Sequence, residues 1–266
     1  MNRFRILAVG LAVAVAPLAA SAYPGGTPDF QTDAAPFCAG CHSSRDATAL
    51  AGAGERAEKD VAERKHIAVI LSGQKGYASL SESDRQTLVE QIRALDAAST
   101  VSMKAPATVK AGESFLAQVS VTGGAGPVVG VALVDRDHRW YARPAASAGW
   151  TVISPPEILG SDGKPRNAWL EKRPESAGRN LSFVNVPGIE SNSATEKWDS
   201  AEVVFALRAP DRPGTYPLAA AFLYGTEKST LLGYTTNAMG WKEVRGGFTG
   251  GSGRILFTPV QSIQVE

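Results

Sequence analysis

Hydrophobic positions along the chain change their period near residue 100. Before it they recur every three or four residues, which is the signature of amphipathic helix; after it they alternate or run in short apolar blocks, which is the signature of strands. Residues 55–71 place Ala62, His66, Val69 and Ile70 on one helical face, and Gly73, Gly76 and Tyr77 interrupt the run. Ser83 and Gln86 then have capping-box spacing ahead of a helix with Leu88, Val89, Ile92 and Leu95 along one side. In residues 114–122, Phe115, Ala117, Val119 and Val121 face one way and polar residues the other, before the turn residues 123–127. Residues 128–134, 149–153, 181–186, 202–208, 216–224 and 255–265 are further expected strands. Short strands separated by Gly, Pro, Asn and Asp turns predict an antiparallel sandwich.

The first residues belong to neither pattern. A basic lead, Met1-Asn2-Arg3-Phe4-Arg5, precedes an apolar run over residues 6–18 and the small-residue site Ala20-Ser21-Ala22. That arrangement predicts a secretory signal peptide over residues 1–22, because the apolar run is too short to span a bilayer. No later stretch is apolar for long enough to cross as a helix, so no transmembrane segment is expected in the mature chain. The expected organisation is therefore a signal peptide, a helical domain over 23–100 and a β-sandwich domain over 101–266.

Without Arg3 and Arg5 the chain carries 25 basic and 26 acidic residues, a formal charge of −1. Neither part stands out: residues 23–100 hold 8 basic and 11 acidic, and residues 101–266 hold 17 and 15. No basic patch points to nucleic acid.

The stretch with the most chemistry is Phe37-Cys38-Ala39-Gly40-Cys41-His42, which contains both cysteines of the protein and one of its 3 histidines. Cys-x-x-Cys-His is the attachment pattern of a c-type haem. Two thiols one helical turn apart can each form a thioether to a porphyrin vinyl group, and the adjacent imidazole meets the iron as proximal ligand. Cys38 and Cys41 are thus expected to tether one haem c and His42 to ligate it. A Cys38–Cys41 disulfide or redox pair uses the same spacing, as does half a zinc site, although no second cysteine pair exists to complete the latter. A haem attached this way also implies export, with the periplasm as the expected location.

The haem motif together with the helix Ser-Glu-Ser-Asp-Arg-Gln-Thr-Leu-Val-Glu-Gln-Ile-Arg-Ala-Leu, residues 81–95, resembles a small monohaem cytochrome c domain over about residues 30–98. The resemblance implies an all-α haem domain whose closing helix packs on the helix bearing the motif. The overall class is then α+β multidomain, a cytochrome c-like haem domain followed by an antiparallel β-sandwich. In that family a methionine shortly before the closing helix is usually the second axial ligand, but this chain has none between His42 and that helix. The strong-field side chains left to the mature chain are His66, His138, Met103 and Met239. His66 is the one inside the helical domain and is the expected distal ligand; Met103, just past the closing helix, is the alternative. Bis-histidine ligation implies a lower potential than histidine–methionine.

Within the strand-rich part, residues 203–216 run from a strand ending in Ala-Pro through Pro-Gly-Thr-Tyr into an apolar strand. This is similar to the late hairpin of immunoglobulin-like and Reeler-like sandwiches, which bears on fold and not on function. The acidic and histidine residues of Asp135-Arg136-Asp137-His138 suit a solvated hairpin turn better than a metal or acid–base cluster. Residues 155–178, with Trp169, and the Gly-rich residues 246–253 read as surface loops, and Trp150, Trp198 and Trp241 as core or inter-domain packing. No nucleophile-elbow, zinc-protease or phosphate-loop motif occurs.

The expected function is single-electron transfer to or from a redox partner protein, with the sandwich as docking module and no catalytic residue assigned. A haem-based small-ligand sensor or peroxidase-like enzyme, with an open sixth iron position, is the alternative. A binding or structural module with a Cys38–Cys41 disulfide is the second.

Overall fold

The computed structural model describes residues 62–137, 142–166, 182–189, 191–226, 234–236, 242–244 and 253–266. The helical part opens with a π-helical turn, Glu63–Ile67, that runs directly into helix α1, Ala68–Leu71. Gly73, at φ +63, ends it by donating its N–H to the Ile70 carbonyl, a conformation glycine adopts without a Cβ penalty. A single 3-10 turn, Lys75–Tyr77, leads to helix α2, Glu82–Ala98.

The start of α2 differs in detail from the capping-box expectation. Ser81, with extended backbone, is the N-cap and accepts from the Asp84 N–H at 3.1 Å, while Ser83 lies inside the first turn. Asp84, in that first turn, also suits the positive end of the helix dipole. The apolar stripe of α2 serves two cores. Leu88, Val89 and Ile92 pack with Ile67, Ile70 and Tyr77 in the helical part, whereas Leu95, one turn on, belongs to the core of the strands.

The remainder is mostly β, in two sheets that face each other. The first has the order β1 (Thr100–Lys104), β3 (Ser114–Thr122), β8 (Ser200–Arg208), with β5 (Thr151–Val152) and β6 (Glu157–Gly160) both paired to β8. The second has the order β2 (Thr108–Val109), β13 (Gln261–Val265), β9 (Gly214–Gly225), β4 (Ala125–Val134), β7 (Phe183–Pro187), with β12 (Gly253–Phe257) also on β9. Strands β10 (Tyr234–Thr236) and β11 (Lys242–Val244) form a separate antiparallel pair. All the pairings are antiparallel except β13 with β2, which is parallel.

Alternation makes the core, as the sequence predicts. Ala117, Val119 and Val121 of β3 meet Val203, Phe205 and Leu207 of β8, and Val129, Val131 and Leu133 of β4 meet Ala220, Phe222 and Tyr224 of β9 in one cluster. Ala219, Ala221 and Leu223 are buried on the other face of β9 with Ala132, Val134 and Phe183. With both faces covered, β9 reads as a continuous apolar run. Trp150 is buried as expected: its ring meets Phe115 and Tyr216 edge-on at 5.5 and 5.8 Å, and its indole N–H donates to the Pro217 carbonyl at 2.9 Å.

Four sequence expectations are corrected here. Residues 255–265 form two strands, because Thr258-Pro259 breaks the ladder; Pro259 has no N–H to give, and Thr258 instead bonds Ala220 through both its backbone and its hydroxyl. Residues 155–178 are not all loop, since β6 lies within them. The segment 203–216 is no hairpin: β8 and β9 lie in different sheets, and the chain between them crosses from one to the other. Asp135 is not a solvated turn residue; its carboxylate is buried and takes the Arg143 N–H at 2.8 Å and the Arg143 and Arg136 guanidinium groups.

The expected all-α haem domain over 23–100 is described only from residue 62. Its haem motif, the signal peptide, His138, Trp169, Met239 and Trp241 lie outside the described residues. No helix among the described residues is long and apolar enough to cross a membrane.

The helix and the strands meet at Gly123, whose φ is +82 and whose N–H donates to the Asp199 carbonyl. A Cβ there would stand 2.7 Å from the Ser99 Cα, at the end of α2. Gly123→Ala is therefore expected to lower unfolding free energy by about 2–4 kcal/mol, since a left-handed residue and a backbone clash are both imposed. Urea denaturation followed by circular dichroism measures it, and an unchanged midpoint would show that α2 and the turn are not held against each other.

Candidate functional site

Helix α2 ends against one open end of the sandwich, and a chain of buried polar groups lies at that junction. Asp96 stands in the last turn of α2, where a carboxylate opposes the negative end of the helix dipole and where no basic residue of the helix offsets it. Its compensation comes from the strands. Arg254 of β12 donates from Nε to Asp96 Oδ2 at 2.9 Å, and Tyr224 of β9 donates from its hydroxyl to Asp96 Oδ1 at 2.9 Å. Arg254 and Tyr224 are directly opposite each other in the β12–β9 register, so both side chains leave the sheet on the same face. The Arg254 side chain is only 5% exposed and that of Asp96 is 26% exposed, so the pair sits largely out of water.

From Arg254 the chain continues into the helical part. Its Nη2 donates to Nδ1 of His66 at 3.1 Å, and Nε2 of the same imidazole is 3.3 Å from the Tyr77 hydroxyl. His66 and Tyr77 are both fully buried, with ring centroids 6.4 Å apart. The π-helical turn that carries His66 sets its side chain off the ordinary 3.6-residue progression, a local irregularity that recurs at functional positions. The result is a continuous relay, Tyr77–His66–Arg254–Asp96–Tyr224, from the helical core to the sheet.

Ser99 completes the junction. Its hydroxyl donates to the Leu95 carbonyl at 2.7 Å and accepts from the Gly124 N–H at 2.9 Å, closing the end of α2 against the turn before β4. Burial, together with the neighbouring Asp96 carboxylate, pushes the Tyr224 hydroxyl well above the usual tyrosine range; Arg254 opposes this.

Cys38, Cys41 and His42 lie outside the described residues. His66 is buried on the helical face, as its position in the pattern predicts, but with its two ring nitrogens directed at Tyr77 and Arg254. An arginine can only donate, so Nδ1 of His66 faces a donor in this contact. Met103 is in β1, opposite Val119, and its side chain is packed in the sandwich core; its carbonyl accepts from Gln261. Structure thus brings His66 and Met103 to different cores.

Arg254, Asp96 and Tyr224 were not legible as site residues. Asp96 carried one signal, an acid in a last helical turn that holds no basic residue. Arg254 carried none, because it follows a Gly-rich run and reads as the edge of a loop. Among the described residues no group of three or more histidine, cysteine or acidic side chains is placed to hold a metal ion.

Tyr224 gives the junction a pH dependence. Its folded-state pKa is raised, so its contribution is fully present below the unfolded value of about 10 and is lost as pH rises through and above it. Unfolding free energy is expected to fall as pH rises above about 10, and Tyr224→Phe to flatten that fall while lowering stability at neutral pH by about 1 kcal/mol through the lost bond to Asp96. Denaturant midpoints from pH 8 to 11 check this; parallel curves for the two proteins would remove Tyr224 from the alkaline transition.

No protein-family model matches the chain and no curated protein sequence matches it, so what can be said of its function comes from its own residues.

Proposed function

We propose that the protein is an exported, periplasmic c-type cytochrome that transfers single electrons to or from a redox partner protein. The observation that carries this reading is Cys38-x-x-Cys41-His42, the complete attachment signature for one haem c, placed ahead of a helical segment that is anchored to a β-rich body. Cys38 and Cys41 would tether the group and His42 would hold its iron from the proximal side. When bound, a haem c supplies a reversible one-electron Fe(III)/Fe(II) couple.

What the chain itself contributes is rigidity and an environment. Little geometric change between oxidation states keeps reorganisation small, and a helical segment joined to the sandwich by buried hydrogen bonds is suited to resist such change. In this reading residues 23–100 form the cytochrome c-like domain and residues 101–266 the docking body. The body is read as an immunoglobulin-like or Reeler-like sandwich. Support comes from the crossing between β8 and β9 and from Tyr216 at the start of β9, whose hydroxyl donates to the Arg212 carbonyl four residues upstream at 2.9 Å, the arrangement of a tyrosine corner.

One observation favours a second reading. Both nitrogens of His66 have partners, and Met103 is packed among strand residues, so neither stands ready to close the sixth iron position. An open position would bind a small ligand, which is the behaviour of a sensor or a peroxidase-like enzyme.

A visible absorption spectrum of the mature protein from a host that attaches haem c, reduced and then exposed to carbon monoxide, separates these readings. Sharp bands of covalent haem that are unmoved by the gas are the expected outcome for the electron carrier. Bands that shift transfer the assignment to small-ligand binding, and the absence of haem bands leaves Cys38 and Cys41 as a thiol pair or disulfide.

A further inference from the structure

We infer that Arg254 of the sandwich is a positioning residue for His66: it holds the imidazole in the tautomer with the proton on Nε2, making His66 a hydrogen-bond donor to Tyr77 instead of a ligand for iron. A guanidinium has five N–H donors and no acceptor, so a bond from Arg254 Nη2 to His66 Nδ1 at 3.1 Å requires a lone pair on Nδ1. In the neutral ring the remaining proton is then on Nε2, where the Tyr77 hydroxyl, 3.3 Å away, accepts it.

Asp96 makes the choice firm. By taking Arg254 Nε at 2.9 Å it orients the planar guanidinium, and the same plane then aims Nη2 at the imidazole. Asp96 is itself held by the Tyr224 hydroxyl at 2.9 Å, so the order of donation runs from strands β9 and β12 to the helical part. The tautomer of a buried histidine in one unit is therefore set by two side chains of the other, across 188 residues of sequence. Water does not compete, because His66 and Tyr77 are fully buried and Arg254 nearly so.

The inference does not depend on the haem reading, but it has a consequence for it. As long as Arg254 donates to Nδ1, no lone pair of His66 is available to iron, and any sixth ligand must be another group. The sandwich then acts on the site by withholding a ligand.

Nitrogen-15 NMR of the histidine-labelled, reduced mature protein reads the tautomer directly, with His66→Gln identifying the signals that belong to this ring. The expected result is a lone-pair shift at Nδ1 and a protonated shift at Nε2. Arg254→Leu should move both shifts toward their average, and Tyr77→Phe should leave the assignment unchanged. Where Arg254→Leu does not fold, Asp96→Asn, which keeps the shape and loosens the guanidinium, should move the shifts in the same direction. A protonated Nδ1 in the parent protein, or a tautomer that follows Tyr77 and ignores Arg254 and Asp96, overturns the inference. In protein that carries haem, His66→Gln is expected to leave the visible bands in place, and bands that move would show His66 on the iron and overturn it as well. Protein without haem bands would refute the cytochrome reading while leaving the tautomer measurable.

Discussion

The Arg254–Asp96 pair is the contact on which the relation between helices and strands depends. Two charges this far from water attract each other strongly only when the rest of their hydrogen-bonding capacity is also met, and here it is: Tyr224 takes the second carboxylate oxygen and His66 takes the guanidinium's Nη2. Truncating one partner of such a pair typically costs about 3–5 kcal/mol, less where one member is a quarter exposed as Asp96 is. The pair also resolves a local conflict. Asp96 is disfavoured by the dipole of the helix that carries it, so α2 ends well only when β12 is in place to receive it. Helix termination and tertiary assembly are thereby the same event.

How much of this was readable from the chain depends on the range of each interaction. Strand β3 was legible over Ser114–Thr122 because its alternation is local and complete, and β8 because Val203, Phe205 and Leu207 keep the same period. The crossing from β8 to β9 was not, because a hairpin and an inter-sheet connection share the same Pro-Gly turn chemistry and differ only in which sheet receives the next strand. Strand β6 was hidden by its four-residue length, and β12 and β13 were merged because Pro259 interrupts a run that is apolar on both sides. The haem-attachment pattern, Cys38 to His42, can be read from five contiguous residues alone, and it lies outside the described residues. His66 was legible as a buried position but not in its chemistry, since its partner Arg254 comes from the far end of the chain.

The electrostatics at the junction point the same way as the packing. Leu95 and Asp96 are neighbours in α2; one enters the sandwich core and the other takes the sandwich's charge. An apolar residue alone would permit the helix to rotate or slide, because hydrophobic contact is non-directional. Two hydrogen bonds to the carboxylate, with Ser99 and Gly124 tied just beyond, select one orientation. Whatever His66 does, it does in a frame whose geometry the strands dictate.

That dependence bears on whether the helical part could act as a detachable module. Its apolar core among the described residues consists of Ile67, Ile70, Tyr77, Leu88, Val89 and Ile92, with Val69 and Leu80 at the margin. Six buried side chains are a small core among the described residues, and the entropy of ordering the chain around them opposes it. Small folds of this size rely on a staple, either a covalent or metal-centred one or a partner surface. The Asp96–Arg254–His66 relay is a staple of the second kind, and a haem tethered at Cys38 and Cys41 would be one of the first. A haem site stapled on one side by its cofactor and on the other by the sandwich would unfold with the sandwich and not before it. Under the proposed reading the sandwich would be part of the redox site's construction, and docking a partner would be a role added to it.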